Sequence, residues 1–354
     1  MFKPYKVVFD EKALDYELGK ELYDKFNNSD SEVLLNKGGR VVVKKDASEI
    51  EKFVSSKRTL VVGVRKITEF QSCKPSANYQ LPLLSGCSGM CEYCYLNTQL
   101  GKRPYTKIYV NIDEILKKAF KYVEERAPKK TIFEGAATSD PIPTERYTGA
   151  LRKCIERFGQ NELSYFRFVT KFSDVDTLIG AKHNGHTTIR FSINTKKVIE
   201  GFERGTESFQ KRIEASKKLY DDGYNIGFII APVFLYEGWR EEYLELIKTV
   251  GEIFNDRENR PIEIEVISHR YTERAKNQIL SVYPNSKLPM DKEGRSLKYG
   301  QFGYTKYVYN KENINDIKEF FEENLRKYIK NCVIKYIIWY KEYIRNNIIN
   351  SLEI

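Results

Sequence analysis

Residues 80–97 read Gln80-Leu-Pro-Leu-Leu-Ser-Gly-Cys-Ser-Gly-Met-Cys-Glu-Tyr-Cys-Tyr-Leu-Asn97, an apolar run that leads straight into three crowded cysteines, Cys87, Cys91 and Cys94. The run Gln80–Leu84 predicts a β-strand, and a cysteine loop directly behind it decides the fold. In barrels of parallel strands, chemistry gathers at the carboxyl ends of the strands. A structural zinc site asks for four ligands, usually two Cys-x-x-Cys pairs or a mixture of Cys and His. The other cysteines, Cys73, Cys154 and Cys332, are scattered singly, and the chain has only three histidines. Three thiolates suit a 4Fe–4S cluster, which then keeps one iron open to an exogenous ligand.

Working outward from that loop, apolar runs alternate with amphipathic stretches. Candidate strands follow at Thr131–Ala136, Tyr165–Val169, Thr188–Ile193, Ile226–Ala231 and Ile262–Ile267. Helical patterns lie between them, at Asn111–Arg126, Thr144–Phe158, Asp174–Ala181, Glu207–Asp222 and Gly238–Phe254. In the first of these, Ile112, Ile115, Leu116, Ala119 and Val123 fall on one helical face. Six strands alternating with helices imply a parallel sheet with right-handed crossovers. Six units are too few for a closed eight-stranded barrel. The expected class is therefore α/β, an open partial (β/α)6 barrel spanning about residues 71–270.

Residues 1–70 read as a small α/β domain, with a helical pattern at Asp10–Phe26 and β-like runs at Lys6–Phe9, Arg40–Val43 and Thr59–Val64. Support for the barrel is its expected role. Residues 271–354 open on a β-hairpin within Arg295–Tyr309, where aromatic and basic residues alternate. From Asn313 to Ile349 the pattern is helical, with Val333, Ile337, Tyr340 and Ile344 on one stripe. His183 and His186 are expected to serve in loop hydrogen bonding, and Cys154 and Cys332 to pack.

With 354 residues, a formal charge of +10 and 41% hydrophobic content, the chain can bury a large core and favours an anionic partner. The opening Met-Phe-Lys-Pro-Tyr-Lys lacks an apolar h-region, so no secretory leader is expected. No apolar run is long enough to span a bilayer, so no membrane partner is expected. Unpaired cysteines point to a reducing cytoplasm.

The Cys-x3-Cys-x2-Cys spacing is the signature of radical S-adenosylmethionine enzymes, and the chain resembles one family among them, spore photoproduct lyase. The resemblance runs from about Val61 to Tyr309. It is carried by Lys74-Pro-Ser-Ala-Asn-Tyr79, Cys94-Tyr-Leu96, Thr138-Ser-Asp140, Val169-Thr-Lys171 and Ala181-Lys-His-Asn-Gly185, and further by Arg190-Phe-Ser192, Lys211-Arg-Ile-Glu-Ala215, Gly227-Phe-Ile-Ile-Ala-Pro232 and His269-Arg270. The resemblance implies a 4Fe–4S cluster on Cys87, Cys91 and Cys94, and S-adenosyl-L-methionine held by Tyr95, Ser139, Lys171, Ser192 and Ala231. It implies a lyase that uses a 5′-deoxyadenosyl radical to split the methylene-bridged thymine dimer of ultraviolet-damaged spore DNA into two thymines. The implied partners are double-stranded DNA carrying that lesion and a reductant such as flavodoxin or ferredoxin. The implied compartment is the cytoplasm of the spore core. A radical cannot reach a stacked base, so the lesion must be extruded. The hairpin is the expected wedge through Tyr299, Gln301 and Phe302, with Lys298 and Lys306 on phosphates and Arg270 reaching the lesion or its phosphate. The rival readings are another radical S-adenosylmethionine enzyme with a different nucleic-acid or protein substrate, and a non-catalytic iron–sulfur DNA-binding protein.

Two departures from the family pattern stand out. Gln301-Phe302 occupies positions where family members often carry Arg-Tyr. More consequentially, Ala137 precedes Thr138-Ser-Asp140, where the best-matching members have the cysteine that returns a hydrogen atom to the thymine radical. Either this position is an engineered knockout or another group donates. Cys73 stands where the family more often has a small hydroxyl residue, and Pro75 permits a turn folding it toward the pocket. Cys73 is therefore the expected donor, with Tyr93 and Tyr95 beside the cluster as radical relays.

Overall fold

The computed structural model describes residues 2–38, 47–100, 104–255, 260–299 and 305–337. The chain opens with β1 (Lys6–Asp10), a 3-10 turn at Glu11–Asp15, α1 (Glu17–Asn27), β2 (Glu32–Asn36), α2 (Glu49–Lys57) and β3 (Thr59–Gly63). A capping box starts α2: Ser48 Oγ accepts from Glu51 N, and the Glu51 carboxylate accepts from Ser48 N at 2.8 Å. The expected run Arg40–Val43 lies outside the described residues.

Next come β4 (Ser72–Cys73), β5 (Ala77–Gln80), β6 (Leu84–Ser85), β7 (Met90–Cys91), α3 (Leu96–Gln99) and β8 (Thr106–Tyr109). Here the strand expected at Gln80–Leu84 is displaced. Ladder pairing ends at Gln80, and Leu81 and Leu83 are buried as loop residues around Pro82, which has no N–H to donate. Five strands form one sheet in the order β2-β1-β3-β8-β6, so the amino-terminal sheet is completed by two strands flanking the cysteine loop. β6 and β8 pair antiparallel, Leu84 opposite Ile108 and Ser85 opposite Lys107.

The remaining elements alternate: α4 (Ile112–Arg126), β9 (Thr131–Glu134), α5 (Ile142–Thr148), α6 (Ala150–Phe158), β10 (Ser164–Thr170), β11 (Thr187–Ile193), α7 (Lys196–Phe202), β12 (Glu203–Arg204), α8 (Phe209–Asp221), β13 (Asn225–Val233), α9 (Trp239–Phe254) and β14 (Ile262–Ser268). With a later strand, β17 (Cys332–Ile337), they build an open, curled sheet in the order β17-β14-β13-β11-β10-β9-β5-β4, parallel from β5 through β17 and antiparallel at β4. This is the half-barrel expected from the alternation. The α4 stripe Ile112, Ile115, Leu116, Ala119 and Val123 is buried as its spacing predicts. Two helices differ from expectation. Thr144–Phe158 is broken at Gly149, whose φ of +59° ends α5 in a left-handed turn. Asp174–Ala181 makes only a 3-10 turn at Asp176–Leu178.

The chain closes with α10 (Glu273–Val282), the hairpin β15 (Arg295–Tyr299) and β16 (Thr305–Tyr309), α11 (Lys311–Tyr328) and β17 (Cys332–Ile337). The expected helical tail is thus corrected at its middle. Cys332-Val-Ile-Lys-Tyr-Ile337 is a strand added parallel to β14, as its β-branched and aromatic content favours. Tyr340 and Ile344 lie outside the described residues. His183 and His186 serve their loop as expected: His183 Nε2 meets Asp222 O at 3.2 Å and His186 Nδ1 meets Ser164 O at 2.9 Å. No helix among the described residues is long and apolar enough to cross a membrane.

Candidate active site

The cysteine loop leaves β6 through Gly86, whose φ is +81° and whose missing Cβ would sit 2.3 Å from Tyr105 O. Only glycine can make that turn. Gly86 N donates to Thr138 O at 3.0 Å, tying the loop to the turn after β9. Behind it, β7 pairs antiparallel with β12, Cys91 opposite Glu203. Tyr283 Oη donates to Met90 O at 3.0 Å, Asn97 Nδ2 to Cys91 O at 3.1 Å, and Lys57 Nζ to Cys87 O at 3.0 Å. The loop is held from every side before anything binds it.

Cys87, Cys91 and Cys94 are all free thiols close enough to act on one another electrostatically. Burial, then the Asp140 carboxylate, push Cys87 up to about 12, and burial pushes Cys91 well above the usual thiol range. Thiolates form here only with a strong cation bound to them, which iron supplies. Among the described residues, no three His, Cys, Asp or Glu side chains converge on a point suited to a single metal ion. A 4Fe–4S cluster asks for something else, single thiolates on separate irons, and the three thiols would serve three of its four irons.

Opposite the loop, the carboxyl ends of successive strands present polar groups. Lys171, just past β10, bonds through Nζ to Ser192 Oγ on β11 and lies 3.4 Å from the Glu203 carboxylate. Glu203 is fully buried, accepts from the Tyr93 hydroxyl, and pairs with Arg212 at 2.6 Å. Against the cost of burial, Lys171 and Arg212 hold it below the usual carboxylate range. Sequence reasoning did not reach Glu203, because its partners lie just after β7, just past β10 and on α8. Asp140 accepts from Lys171 N at 2.9 Å and Thr170 Oγ1 at 2.9 Å, locking the turn of Thr138-Ser-Asp140 onto the end of β10. Ser139 is buried beside this turn, and Ala231 is half-buried on β13.

Inside the half-barrel, Glu134, Arg167, Arg190 and Glu265 form a buried quartet. Arg167 bonds to Glu265 at 2.6 Å, and Arg190 bonds to both carboxylates, 3.1 Å from Glu265. Two guanidiniums balance two carboxylates, so the low-dielectric interior carries no net charge from them. Glu134 also accepts from Ser76 Oγ at 3.2 Å and Ala136 N at 3.2 Å. It therefore ties the Cys73–Ala77 turn to the turn carrying Ala137. Cys73 lies beside this quartet: burial, then Glu134, push its thiol up to about 11. The Tyr95 hydroxyl donates to Ala137 O, and its ionisation is opposed by burial, Cys94 and Cys73. Cys73, Tyr95 and the cluster loop thus meet, whereas Tyr93 turns away to Glu203.

At the rim, His269 and Arg270 follow β14 directly. Tyr271 pairs with Tyr307 of β16 in an isolated bridge, their rings 5.1 Å apart, so the hairpin hangs from the sixth barrel strand. Arg295 stacks on Tyr309 at 3.7 Å and donates to His269 O at 2.8 Å, fixing the hairpin base. Lys298 stands directly opposite Lys306. Burial and then Arg270 lower the Lys306 pKa, so these cations crowd one another. Tyr299 is 81% exposed at the tip. Gln301 and Phe302 lie outside the described residues.

What such a pocket can support is one-electron chemistry on S-adenosylmethionine, and a half-barrel with its cysteine loop at the carboxyl ends of the strands is that of the radical S-adenosylmethionine enzymes. The chain belongs to the spore photoproduct lyase family, whose model matches residues 2–338. It is 54% identical over 333 residues to the spore photoproduct lyase of Clostridium acetobutylicum, covering 94% of this chain and 98% of that protein. It is 43% identical over 336 residues to that of Bacillus subtilis, covering 95% and 98% respectively. A mutant spore photoproduct lyase solved with bound AdoMet and dinucleoside spore photoproduct superposes with a TM-score of 0.91 at 40% identity, over 95% of this chain and 99% of that one. A second, complexed with dinucleoside spore photoproduct, gives 0.91 at 39% identity, with the same coverage.

Proposed function

We propose that this chain splits the methylene-bridged thymine dimer of double-stranded DNA into two thymines, with Cys73 as its hydrogen-atom donor. The observation that carries the donor assignment is the meeting of Cys73, Tyr95 and the Ala137 turn around Glu134, at the position from which the family's usual thiol is missing. When bound, the cluster on Cys87, Cys91 and Cys94 and S-adenosylmethionine supply the 5′-deoxyadenosyl radical that starts the reaction. Lys171 and Ser192, with Ser139, present donors suited to the carboxylate of S-adenosylmethionine, while Tyr95 and Ala231 wall its pocket. Once the bridge has broken, the thymine radical takes the hydrogen atom of the Cys73 thiol. The S–H bond breaks, a C–H bond forms, and a thiyl radical remains. The Tyr95 O–H is the relay toward that sulfur, whereas the Tyr93 hydroxyl is committed to Glu203. A thiol held up to about 11 stays protonated at neutral pH, as a hydrogen-atom donor must.

Arg270, Lys298 and Lys306 hold backbone phosphates, and the hairpin tip with Tyr299, Gln301 and Phe302 occupies the space left by the extruded lesion. A low-potential one-electron donor of flavodoxin or ferredoxin type reduces the cluster, in the reducing cytoplasm of the spore. Residues 1–70 act as a small supporting domain, 71–270 as the catalytic half-barrel and 271–354 as the DNA-contacting part.

The test is anaerobic cluster reconstitution followed by turnover of a synthetic dinucleotide lesion by the parent and by Cys73→Ala. The parent is expected to yield thymine and 5′-deoxyadenosine. The variant is expected to keep forming 5′-deoxyadenosine while clean repair gives way to by-product adducts. An unchanged repair rate and product profile in the variant would remove Cys73 from the mechanism.

A further inference from the structure

Lys57, the last residue of α2, is 1% exposed and carries its ammonium into the base of the cysteine loop. Nζ donates to Cys87 O at 3.0 Å and lies 5.3 Å from the centre of the Phe53 ring. Among the described residues it makes no ion pair. A buried ammonium without an anion is expensive, and lysine is rarely found so placed unless something negative balances it. The ring face and the carboxyl end of α2 offer partial negative charge only. The missing anion is found by looking along the hydrogen bond. The Cys87 thiol lies within electrostatic reach of that ammonium, and a 4Fe–4S core held by the thiolates of Cys87, Cys91 and Cys94 would carry a net negative charge there.

We propose that Lys57 is the built-in counter-charge of the iron–sulfur site, easing addition of an electron to the cluster. This rests on the cluster sitting on Cys87, Cys91 and Cys94. Reduction adds one electron from an external low-potential donor and one negative charge to the cluster. A fixed positive charge beside one ligand, inside a water-poor setting, stabilises the reduced form more than the oxidised form. Iron–sulfur potentials respond to local charge and to solvent exposure in this way. The assignment also gives the amino-terminal unit a part in the chemistry. It delivers, on α2, a charge at the Cys87 side of the loop, while Lys171 of the half-barrel acts from the Cys91 side.

The experiment is an EPR-monitored reductive titration of the reconstituted cluster, without S-adenosylmethionine, in the parent, Lys57→Met, Lys57→Gln and Lys57→Arg, with iron and sulfide counted per chain. Met keeps the length of the side chain, Gln keeps a donor for Cys87 O, and Arg keeps the charge. Expected is full iron in all four, with reduction of the Met and Gln variants disfavoured at least tenfold, about 59 mV for a one-electron couple, and Arg returning toward the parent. Equal potentials in parent, Met and Gln at full iron would overturn the proposal. If Met and Gln lose iron while Arg retains it, the counter-charge is needed for assembly, which upholds it. If all three lose iron, Lys57 is a packing residue and the proposal fails. A parent that takes up no cluster would instead overturn the assignment of the three cysteines.

Discussion

Replacing Lys298 and Lys306 together with alanine separates affinity for DNA from stability, and the hairpin register sets the size of both effects. The two ammonium groups stand directly opposite each other across β15 and β16, and Arg270 adds a third positive charge within electrostatic reach of Lys306. Like charges directly opposite in an antiparallel pair cost roughly 0.2–1 kcal/mol, which the free protein bears and a bound phosphate relieves. The double variant is therefore expected to be slightly more stable than the parent to urea, by up to about 1 kcal/mol. Its DNA binding should move the other way. Each phosphate contact contributes about 0.9 to the slope of log affinity against log salt, so losing two flattens the slope by about 1.8. Between 50 and 200 mM salt (values chosen for the assay), the affinity gap between parent and variant should narrow by about 12-fold. Fluorescence anisotropy on a lesion-containing duplex across that range measures the slope, and urea titration measures the stability. An unchanged slope would place the phosphate contacts elsewhere, and a stability loss would show that the two lysines are not held in repulsion.

Two further expectations follow from local geometry. Gly86→Ala puts a Cβ against Tyr105 O at a φ of +81°, so it should cost more than about 2 kcal/mol and lower iron retention after reconstitution; a melting temperature and iron content equal to the parent's would refute the reading of that turn. Burial pushes the Glu145 carboxyl from 4.5 up to about 7, although Leu151 N and Arg152 N donate to it. The folded state thus holds a proton that the unfolded state has released, and this contribution is lost as pH rises through that window. Relative to Glu145→Gln, the parent should lose about 2.5 kcal/mol between pH 5 and 8, measured by urea unfolding at both; a pH-independent difference would contradict it.

The strands Thr131–Glu134, Ser164–Thr170, Thr187–Ile193, Asn225–Val233 and Ile262–Ser268 were legible in the sequence because each is a short β-branched or aromatic run, buried on both faces of a parallel sheet. Legibility failed where burial and hydrogen bonding part company. Leu81 and Leu83 are apolar and buried yet lie past the end of the strand ladder, which shifted the first strand by several residues. Cys332–Ile337 carries Val333 and Ile337 at a spacing that a helix also satisfies, and its alternating exposure emerges only when it docks beside β14. The three cysteines were plain from spacing alone. Lys57, Glu134 and Glu203 were not, because a buried charge draws its meaning from partners far away in sequence. Lys57 is 30 residues from Cys87, and Glu203 is 110 from Tyr93.

The pairing of β6 with β8 sets Ser85 opposite Lys107 in the amino-terminal sheet, so the cysteine segment is anchored to that sheet on both sides. Holding three side chains of one free loop at a single place has an entropic cost that grows with the logarithm of the loop. Here the sheet bears that cost as the polypeptide folds. Iron arriving at the protein meets thiols already collected, and losing it leaves the loop fastened. Oxygen damage to the metal should therefore be a reversible injury, one that the same molecule survives to be refilled.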